Sequence, residues 1–201
     1  MGTHMRYSEG HKQETRKRLL KVAAGAIRSQ GPDRIGISKI MAEAGLTHGG
    51  FYAHFGSKDE LVAEAIRVMF DESKARMNEE VSGRSPAEGL WRCICFYLSR
   101  KHRDTVAIGC PVAALLADVP RIPDAARTNF SQGAAQLKGQ LADLLAMLGD
   151  ADADASADSL LAALVGALML ARAEPDPKRS DEILMRSRMA LKHRFNLESI
   201  E

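Results

Sequence analysis

The stretch GLTHGGFYAHFGSK, residues 45 to 58, places glycines, aromatic residues and histidines close together near the start of the chain. Its adjacent glycines, Gly49 and Gly50, disfavour a helix, yet apolar residues recur at helical spacing on both sides of them. Because glycine has no side chain, such a pair allows the backbone to come close to another molecule. We therefore expect a contact with another molecule here.

The residues before the glycine pair predict the first of two short helices. Four apolar positions fall at i, i+3, i+4 and i+7 and form one buried stripe: Ile37, Ile40, Met41 and Ala44. Gly45 suits the left-handed conformation that ends such a helix, Leu46 can fill the core between the helices, and Thr47 is the expected N-cap of the second helix. This arrangement is typical of a helix-turn-helix, whose second helix enters the DNA major groove by its N-terminal end. The alternative is a structural turn between two core helices.

The whole chain of 201 residues is expected to be all-α. Aromatic residues make up only 5% of it, while alanine, leucine and methionine are plentiful, which favours helices over strands. Periodicity predicts about nine helices in all. The longer ones are expected at Lys12–Gln30, from a Ser57–Glu60 capping box toward Glu80, around Leu90–Leu98, and at Asp124–Leu148, Leu160–Ala173 and Ser180–Phe195. The acidic run GDADADASAD is expected to be a linker, and the opening MGTH resembles a vector remnant.

Extended to GLTHGGFYAHFGSKDEL, the quoted stretch resembles the recognition-helix segment of the tetracycline-repressor (TetR) family of bacterial transcriptional regulators. The resemblance covers roughly residues 13 to 70. It implies a helix-turn-helix DNA-binding domain at residues 5–57 and a helical ligand-binding and dimerisation domain at residues 58–201. It also implies that the protein is a homodimer, that it binds double-stranded operator DNA, and that a small-molecule inducer acts on it.

The resemblance further implies which residues face DNA. They are Ser38, Lys39, Thr47, His48, Gly49, Gly50, Tyr52, His54 and Lys58. Among them His48 is the expected base reader, and Tyr52, His54 and Lys58 are the expected contacts to the DNA backbone. The sequence departs from the family at Gly36, where an N-cap Ser or Thr is usual, and at Met41, where alanine is usual. Neither change is expected to disturb the fold.

The charge distribution agrees with a DNA contact near the N-terminus. The net charge of the chain is +2, but residues 5–60 hold ten Lys or Arg against six Asp or Glu. The later residues hold 18 against 20 and are slightly acidic. A positive excess confined to one end favours a polyanionic partner there, although basic residues are also common on solvated helix faces.

A ligand pocket is implied only by the resemblance. Its candidate lining residues are Trp91, Phe96, Tyr97, Cys110, Phe130, Met147 and Met169, each of which could equally be a core residue. Cys110 precedes Pro111, which suits the first position of a helix, so Cys110 is the expected N-cap. A helix N-terminus favours the thiolate, which makes Cys110 a candidate reactive thiol; the alternative is an inert cysteine.

Several other functions find little support in the sequence. There is no nucleophile elbow, phosphate-binding glycine loop or metal-ligand helix, so we expect neither an enzyme nor a cofactor. Asp150, Asp152 and Asp154 imitate the start of a calcium loop but lack its glycine and its final glutamate. With no apolar run near ~20 residues and no secretory signal, we expect a cytoplasmic protein that does not contact membranes. The leading hypothesis is a repressor released by a small molecule or an electrophile; a redox sensor acting through Cys110, or an architectural DNA binder, are the alternatives.

Overall fold

The computed structural model describes the backbone of residues 3–200 and the side chains of residues 10–200. Over this range the chain forms α-helices and short 3-10 helices and no strand, so the all-α prediction is confirmed. Residues 1 and 2 of the suspected vector remnant, and residue 201 at the end of the expected second domain, lie outside the described part. The remaining two remnant residues belong to the first helix.

The described chain contains nine α-helices. They are α1 Thr3–Gln30, α2 Ile37–Glu43, α3 Lys58–Val81, α4 Pro86–Tyr97, α5 Arg100–Asp104, α6 Pro111–Leu115, α7 Asp124–Met147, α8 Ala153–Ala173 and α9 Pro177–Arg194. Three 3-10 helices lie at His48–Ala53, Val106–Ile108 and Val119–Arg121.

The turn after α2 has the conformation that its sequence predicts. Gly45 has a φ of +71°, in the left-handed region. The amide of Leu46 donates to the carbonyl of Met41 at 2.8 Å, and the amide of Gly45 donates to that of Ala42 at 2.9 Å. These bonds satisfy carbonyls at the end of α2, and Leu46 packs against the core as expected.

The long helix α3 connects the two ends of the molecule. It packs against α1 on one side and against α7 on the other. The contact with α7 is close because Gly133 faces Phe70: a methyl group built on Gly133 would overlap the phenyl ring, with Cδ1 at 2.7 Å and other ring atoms nearer. The expected domain boundary at residues 57/58 coincides with the start of α3, and the division itself stays a prediction.

The last three long helices pack in chain order, α7 against α8 and α8 against α9. By length and composition alone α8 would be able to cross a membrane, so the expectation that no run is that apolar was wrong. In the fold, α8 buries one face, including Leu160, Leu164 and Leu168, among its neighbours. It leaves Met169 and Leu170 exposed.

Several helix limits differ from the sequence predictions. The segment GDADADASAD is not a linker throughout, because α8 already begins at Ala153. Likewise α1 begins well before Lys12, and α9 begins at Pro177, where Asp176 caps it by accepting from the amide of Lys178 at 2.8 Å. The prediction for α7 is confirmed to within one residue.

Candidate nucleic-acid interface and ligand cavity

The recognition segment is a 3-10 helix from His48 to Ala53 rather than an α-helix. Thr47 occupies the predicted N-cap position, but its side chain makes no capping hydrogen bond. The reason is the tighter winding, since the amide of Gly50 already donates to the backbone carbonyl of Thr47 at 3.0 Å.

Most of the predicted DNA-facing residues lie at the surface. Those exposed are Ser38, Lys39, Thr47, His48, Gly49 and Tyr52, and those half-buried are Gly50, His54 and Lys58. Tyr52 is the most open of the large apolar side chains here, with 69% of its surface accessible. Phe51 and Phe55 are buried beneath them, as expected, with ring centroids 5.7 Å apart. The aromatic pair therefore fixes the segment on the core and leaves its outer face open.

Gly50 of the glycine pair and Met41, which stands where the family usually has alanine, lie next to each other in the fold. The methyl carbon of Met41 would lie 3.5 Å from a Cβ at Gly50, whereas nothing approaches such a carbon at Gly49 within 4 Å. The completely buried Met41 side chain thus fills the space beneath Gly50. Gly49 faces open space, which suits a close approach to another molecule.

Arg16 of α1 holds the recognition segment in place, a role that the sequence analysis missed. Its guanidinium donates to the backbone carbonyl of His54, pairs with Glu64, and lies 4.2 Å from the centroid of Phe55. Burial, together with the positive charges of Lys12 and Arg16, lowers the pKa of His54. His54 is therefore neutral at neutral pH and can offer a hydrogen bond to DNA but no positive charge.

The start of α3 adjoins the same surface. Ser57 accepts from the amide of Glu60 at 3.1 Å, which is half of the expected capping box. The Glu60 carboxylate does not return this bond to Ser57; it accepts from the amide of Gly56 at 2.7 Å and pairs with Arg16 at 3.3 Å. The ammonium of Lys58 donates to the carbonyl of Asp33 at 3.0 Å, an exposed bond that leaves its other protons free.

A cavity of about 380 Å³ lies between α3, α4, α7 and α8. Of the predicted pocket residues, Phe96, Tyr97 and Cys110 line it. The other four lie elsewhere. Trp91 packs against the ammonium of Lys192, Phe130 packs in the core against Phe70, and Met147 and Met169 are exposed at the surface.

His102 is a buried polar residue of the cavity wall that the sequence analysis did not single out. Its Nδ1 donates to the carbonyl of Tyr97 at 2.7 Å, and its Nε2 accepts from the amide of Cys110 at 2.9 Å. Burial lowers its pKa to about 4, and the nearby guanidinium groups of Arg172 and Arg76 act in the same direction. The imidazole is thus neutral, and its tautomer is fixed by these two bonds.

The cysteines have different surroundings. Cys110 is the N-cap of α6, as predicted, and is 8% exposed in the cavity wall. Cys93 also lines the cavity, and burial raises its pKa to about 12. Cys95 lies on another side of α4 beside Arg188. Within residues 10–200 no group of His, Cys, Asp or Glu is arranged to hold a metal ion.

The helix-turn-helix geometry agrees with a match to known proteins. The family described as bacterial regulatory proteins, tetR family, matches residues 19–65, which contain α2, the left-handed turn and the recognition segment. The matched part of the chain is the DNA-binding helix-turn-helix of this family. The chain is therefore a DNA-binding transcriptional regulator that is similar to those of the tetR family.

Curated relatives of this regulator are themselves HTH-type transcriptional regulators. YerO of Bacillus subtilis is 29% identical over 100 residues, which are 47% of this chain and 35% of YerO. Rv0196 of Mycobacterium tuberculosis is 28% identical over 172 residues, which are 82% of this chain and 87% of Rv0196. The chain thus spans about a third of the first relative and most of the second; both are described as uncharacterized.

Solved structures share the fold of this regulator over most of its length. The reduced form of Escherichia coli NemR has a TM-score of 0.77 at 20% identity, covering 90% of this chain and 97% of NemR. A TetR regulator from Chloroflexus aurantiacus has a TM-score of 0.77 at 22% identity, covering 90% of this chain and 96% of its own. At these identities the likeness shows the fold alone.

Proposed function

We propose that this regulator is a homodimeric repressor that binds a palindromic operator and is released when a small molecule occupies the cavity. The observation that carries the proposal is the position of α3. This helix begins just after the recognition segment and then supplies Glu72, Ser73 and Arg76 to the cavity wall. A ligand that moves the middle of α3 would therefore move the DNA-binding surface.

Arg28 supports this coupling because it joins α1 to the cavity. The side chain is almost fully buried and pairs with Glu72 of the cavity wall at 2.8 Å. It also donates to the carbonyl of Met69 in α3 at 3.1 Å and to that of Ala107 at 3.3 Å, just before Cys110 in the chain. A shift in α3 or in the segment before Cys110 would thus be felt by α1, which holds the recognition segment through Arg16.

The apolar surface of α8 and α9 supports a homodimer. Leu170 of α8 is 64% exposed, and Met185 and Met189, four residues apart on α9, are about half exposed. Exposed large apolar side chains on neighbouring helices favour contact with a second copy. A dimer would also give two recognition segments, which tight reading of a palindrome requires.

Selection of binding sites from random DNA duplexes tests the proposal. We expect a pseudo-palindrome whose half-sites are about 34–36 Å apart, or a multiple of that distance. Sedimentation of the protein on the selected duplex should show two chains per site. A monomer bound to a single half-site at the same concentration would contradict the proposal. Replacing an exposed methionine with a charged residue, as in Met185→Glu, should weaken dimerisation and DNA binding together.

A second candidate signal is an electrophile that reacts with Cys110. The observations that favour it are the position of this thiol in the cavity wall and the neighbouring Tyr97 hydroxyl. The sulfur would add to the electrophilic carbon of a quinone or an unsaturated aldehyde, and the thiol proton would end on the adduct. The added bulk would then press on α6 and on the segment that holds Arg28.

Mass spectrometry and operator binding of wild type and Cys110→Ser test this second candidate. After treatment with a benzoquinone, wild type should carry one adduct at Cys110 and leave the operator, and Cys110→Ser should stay bound. The buried Cys93, whose raised pKa keeps it a thiol, is the internal control and should not react. A Cys110→Ser protein that is released normally would assign Cys110 to the inert class.

A further inference from the structure

Building on that proposed function, we infer that the cavity binds an amphipathic monoanion, a carboxylic acid with an apolar body. Arg76 and Tyr97 would bind its carboxylate. Both residues line the same cavity. Among the described residues no carboxylate pairs with Arg76, and the Tyr97 hydroxyl has no oxygen or nitrogen acceptor.

Arg76 supplies the positive charge. Its guanidinium carbon lies over the Phe96 ring, 5.2 Å from the ring centroid, which is within the range of a cation–π contact. The described residues contain no carboxylate within ion-pair distance of it. A guanidinium without a carboxylate partner can form two parallel hydrogen bonds to the carboxylate of a ligand.

The glutamates around the cavity do not neutralise Arg76 in this arrangement. Glu72 pairs with Arg28 at 2.8 Å, and Glu80 pairs with Arg92 at 3.1 Å. Glu79 is exposed at the rim, where Lys21 is exposed too. Arg28 and Arg92 therefore neutralise Glu72 and Glu80. At the rim, the negative charge of Glu79 and the positive charge of Lys21 offset each other.

The other titratable groups of the wall are neutral. His102 is uncharged near neutral pH because burial lowers its pKa to about 4. Cys93 is a thiol because burial raises its pKa to about 12. Among the lining residues, the unpaired charge that a ligand would meet is therefore that of Arg76. The guanidinium of Arg172 is not in the lining but acts on Tyr97, and its positive charge would also favour an anion.

The hydroxyl of Tyr97 supplies a second donor. Its oxygen is buried, and in the described part of the chain only the Cys110 thiol, a weak hydrogen-bonding group, lies close enough to interact with it. Burial, with a smaller effect of the Cys110 thiol beside it, raises the pKa of this hydroxyl well above its ordinary value. The group thus keeps its proton and can donate it to a ligand oxygen, a stronger acceptor than the thiol sulfur, which would relieve the cost of a buried hydroxyl with only a weak partner.

The opposite wall fits an apolar body. It consists of leucines from two helices, Leu137 and Leu141 of α7 and Leu161 and Leu164 of α8. The volume of about 380 Å³ lies in the range of small-molecule sites, which is about 300–1,000 Å³. One polar end and one apolar wall together select an amphipathic molecule with its acid toward Arg76.

Titration calorimetry on the full chain without DNA tests this inference with three probes of the same shape. They are 4-phenylbutyrate, 4-phenylbutan-1-ol and 4-phenylbutylamine, which differ only in an anionic, neutral or cationic end. We expect the acid to bind at least about tenfold more tightly than the alcohol, since hydrogen bonds to a charged group contribute about 1.5–3 kcal/mol. The amine should bind most weakly.

Two variants and a matched control locate the effect. Arg76→Gln should weaken the acid about tenfold to a hundredfold and leave the alcohol unchanged, and Tyr97→Phe should weaken the acid by a smaller factor. Arg67→Gln removes an arginine from an exposed position of the same helix, paired only with Asp71, and should change nothing. Equal binding of the acid to wild type and Arg76→Gln, or a preference for the amine, would overturn the inference.

The same measurements separate this inference from the proposed function. Acid that binds through Arg76 but leaves operator affinity unchanged would support the ligand class and contradict induced release. Release of the operator by a neutral or cationic ligand, with no binding of the acid, would support induced release and overturn the ligand class.

Discussion

At the scale of single residues, His48 and Lys58 occupy different positions on the DNA-binding surface, and these positions predict different effects on DNA binding. His48 is exposed at the first position of the recognition segment, where it can reach a base edge. Lys58 is at the start of α3 and offers a charge to a phosphate. We expect His48→Ala to relax sequence preference, and Lys58→Ala to weaken binding to all sequences and reduce the slope of log affinity against log salt by about 0.9.

Fluorescence anisotropy on the selected operator and on a scrambled duplex, over a range of salt concentrations, measures both effects. Lys74→Ala is the matched control, because Lys74 is an exposed lysine of the same helix and lies about 24 Å along it from Lys58. Its salt slope should equal that of wild type. The same slope in Lys58→Ala would remove Lys58 from the contacts to phosphate.

His102 predicts a loss of stability in acid. Its folded-state pKa is about 4, below the ordinary value of 6.5, so the unfolded chain binds a proton at this residue more readily than the folded protein does. The contribution is fully present above pH 6.5, falls as the pH drops toward 4, and levels off below that. From these two pKa values we expect a loss of about 2 kcal/mol between pH 7.5 and pH 5 from His102 alone.

Urea denaturation of wild type and His102→Gln at the two pH values, at one protein concentration, measures this share. The free energy of unfolding of wild type should fall by about 2 kcal/mol more than that of the variant. The lowered pKa of His54 contributes equally to both proteins. Titration of the His102 ring by NMR provides an independent test, and a midpoint near 6.5 would contradict the prediction.

Some residue-level features follow from local rules and others do not. The left-handed Gly45 and the N-cap position of Cys110 were predictable, because each depends on its immediate neighbours in the chain. The roles of Arg16, Arg76 and His102 were not, because each makes contacts across helices that sequence spacing does not bring together. The DNA-facing residues carried over from the family stay a prediction.

At the scale of helices, two glycines in α7 predict opposite effects of the same substitution. A Cβ at Gly133 would overlap the ring of Phe70 in α3, whereas nothing lies within 4 Å of one at Gly139. We expect Gly133→Ala to destabilise the fold by about 1–3 kcal/mol, because overpacking pushes α3 and α7 apart. We expect Gly139→Ala to stabilise it by up to about 1 kcal/mol, because alanine is the better helix former.

Urea denaturation of both variants, at a fixed protein concentration, measures whether each substitution lowers or raises the free energy of unfolding. Gly139→Ala acts as the control for the helix propensity that both substitutions share. If Gly133→Ala were as stable as wild type, the close packing of α3 on α7 would be wrong. Since α3 also lines the cavity, Gly133→Ala should in addition weaken binding of any cavity ligand.

Helix types were more predictable than helix ends. The apolar stripe and the closing turn of α7 gave its limits to within one residue. The acidic start of α8 favours a linker by its composition, because Asp and Ser favour caps and turns; Asp154 and Asp158 are exposed, however, and the helix continues through them on the packing of its other face. The recognition segment contains two glycines and forms a 3-10 helix, which no apolar period could have shown.

At the scale of the whole molecule, α3 and Arg28 provide two connections between the cavity and the DNA-binding surface. The helix continues from the recognition segment to Arg76, and Arg28 ties α1 to Glu72 beside the cavity. Replacing both partners, as in Arg28→Met with Glu72→Gln, removes the second connection and leaves the first. We expect this double variant to bind operator and to respond less to a cavity ligand.

The coupling between operator and ligand must be reciprocal if induction works through the cavity. A ligand that lowers operator affinity 100-fold binds the DNA-free form about 2.7 kcal/mol more tightly than the DNA-bound form. Saturating operator must therefore weaken ligand binding by the same factor.

Calorimetric titration of the ligand into protein alone and into the protein–operator complex measures this factor, with a scrambled duplex as the control. The double variant Arg28→Met with Glu72→Gln should show a smaller factor in both directions. A ligand whose affinity is the same with and without operator would contradict induction through this cavity, however tightly it binds, because only a difference in affinity between two states can shift their equilibrium.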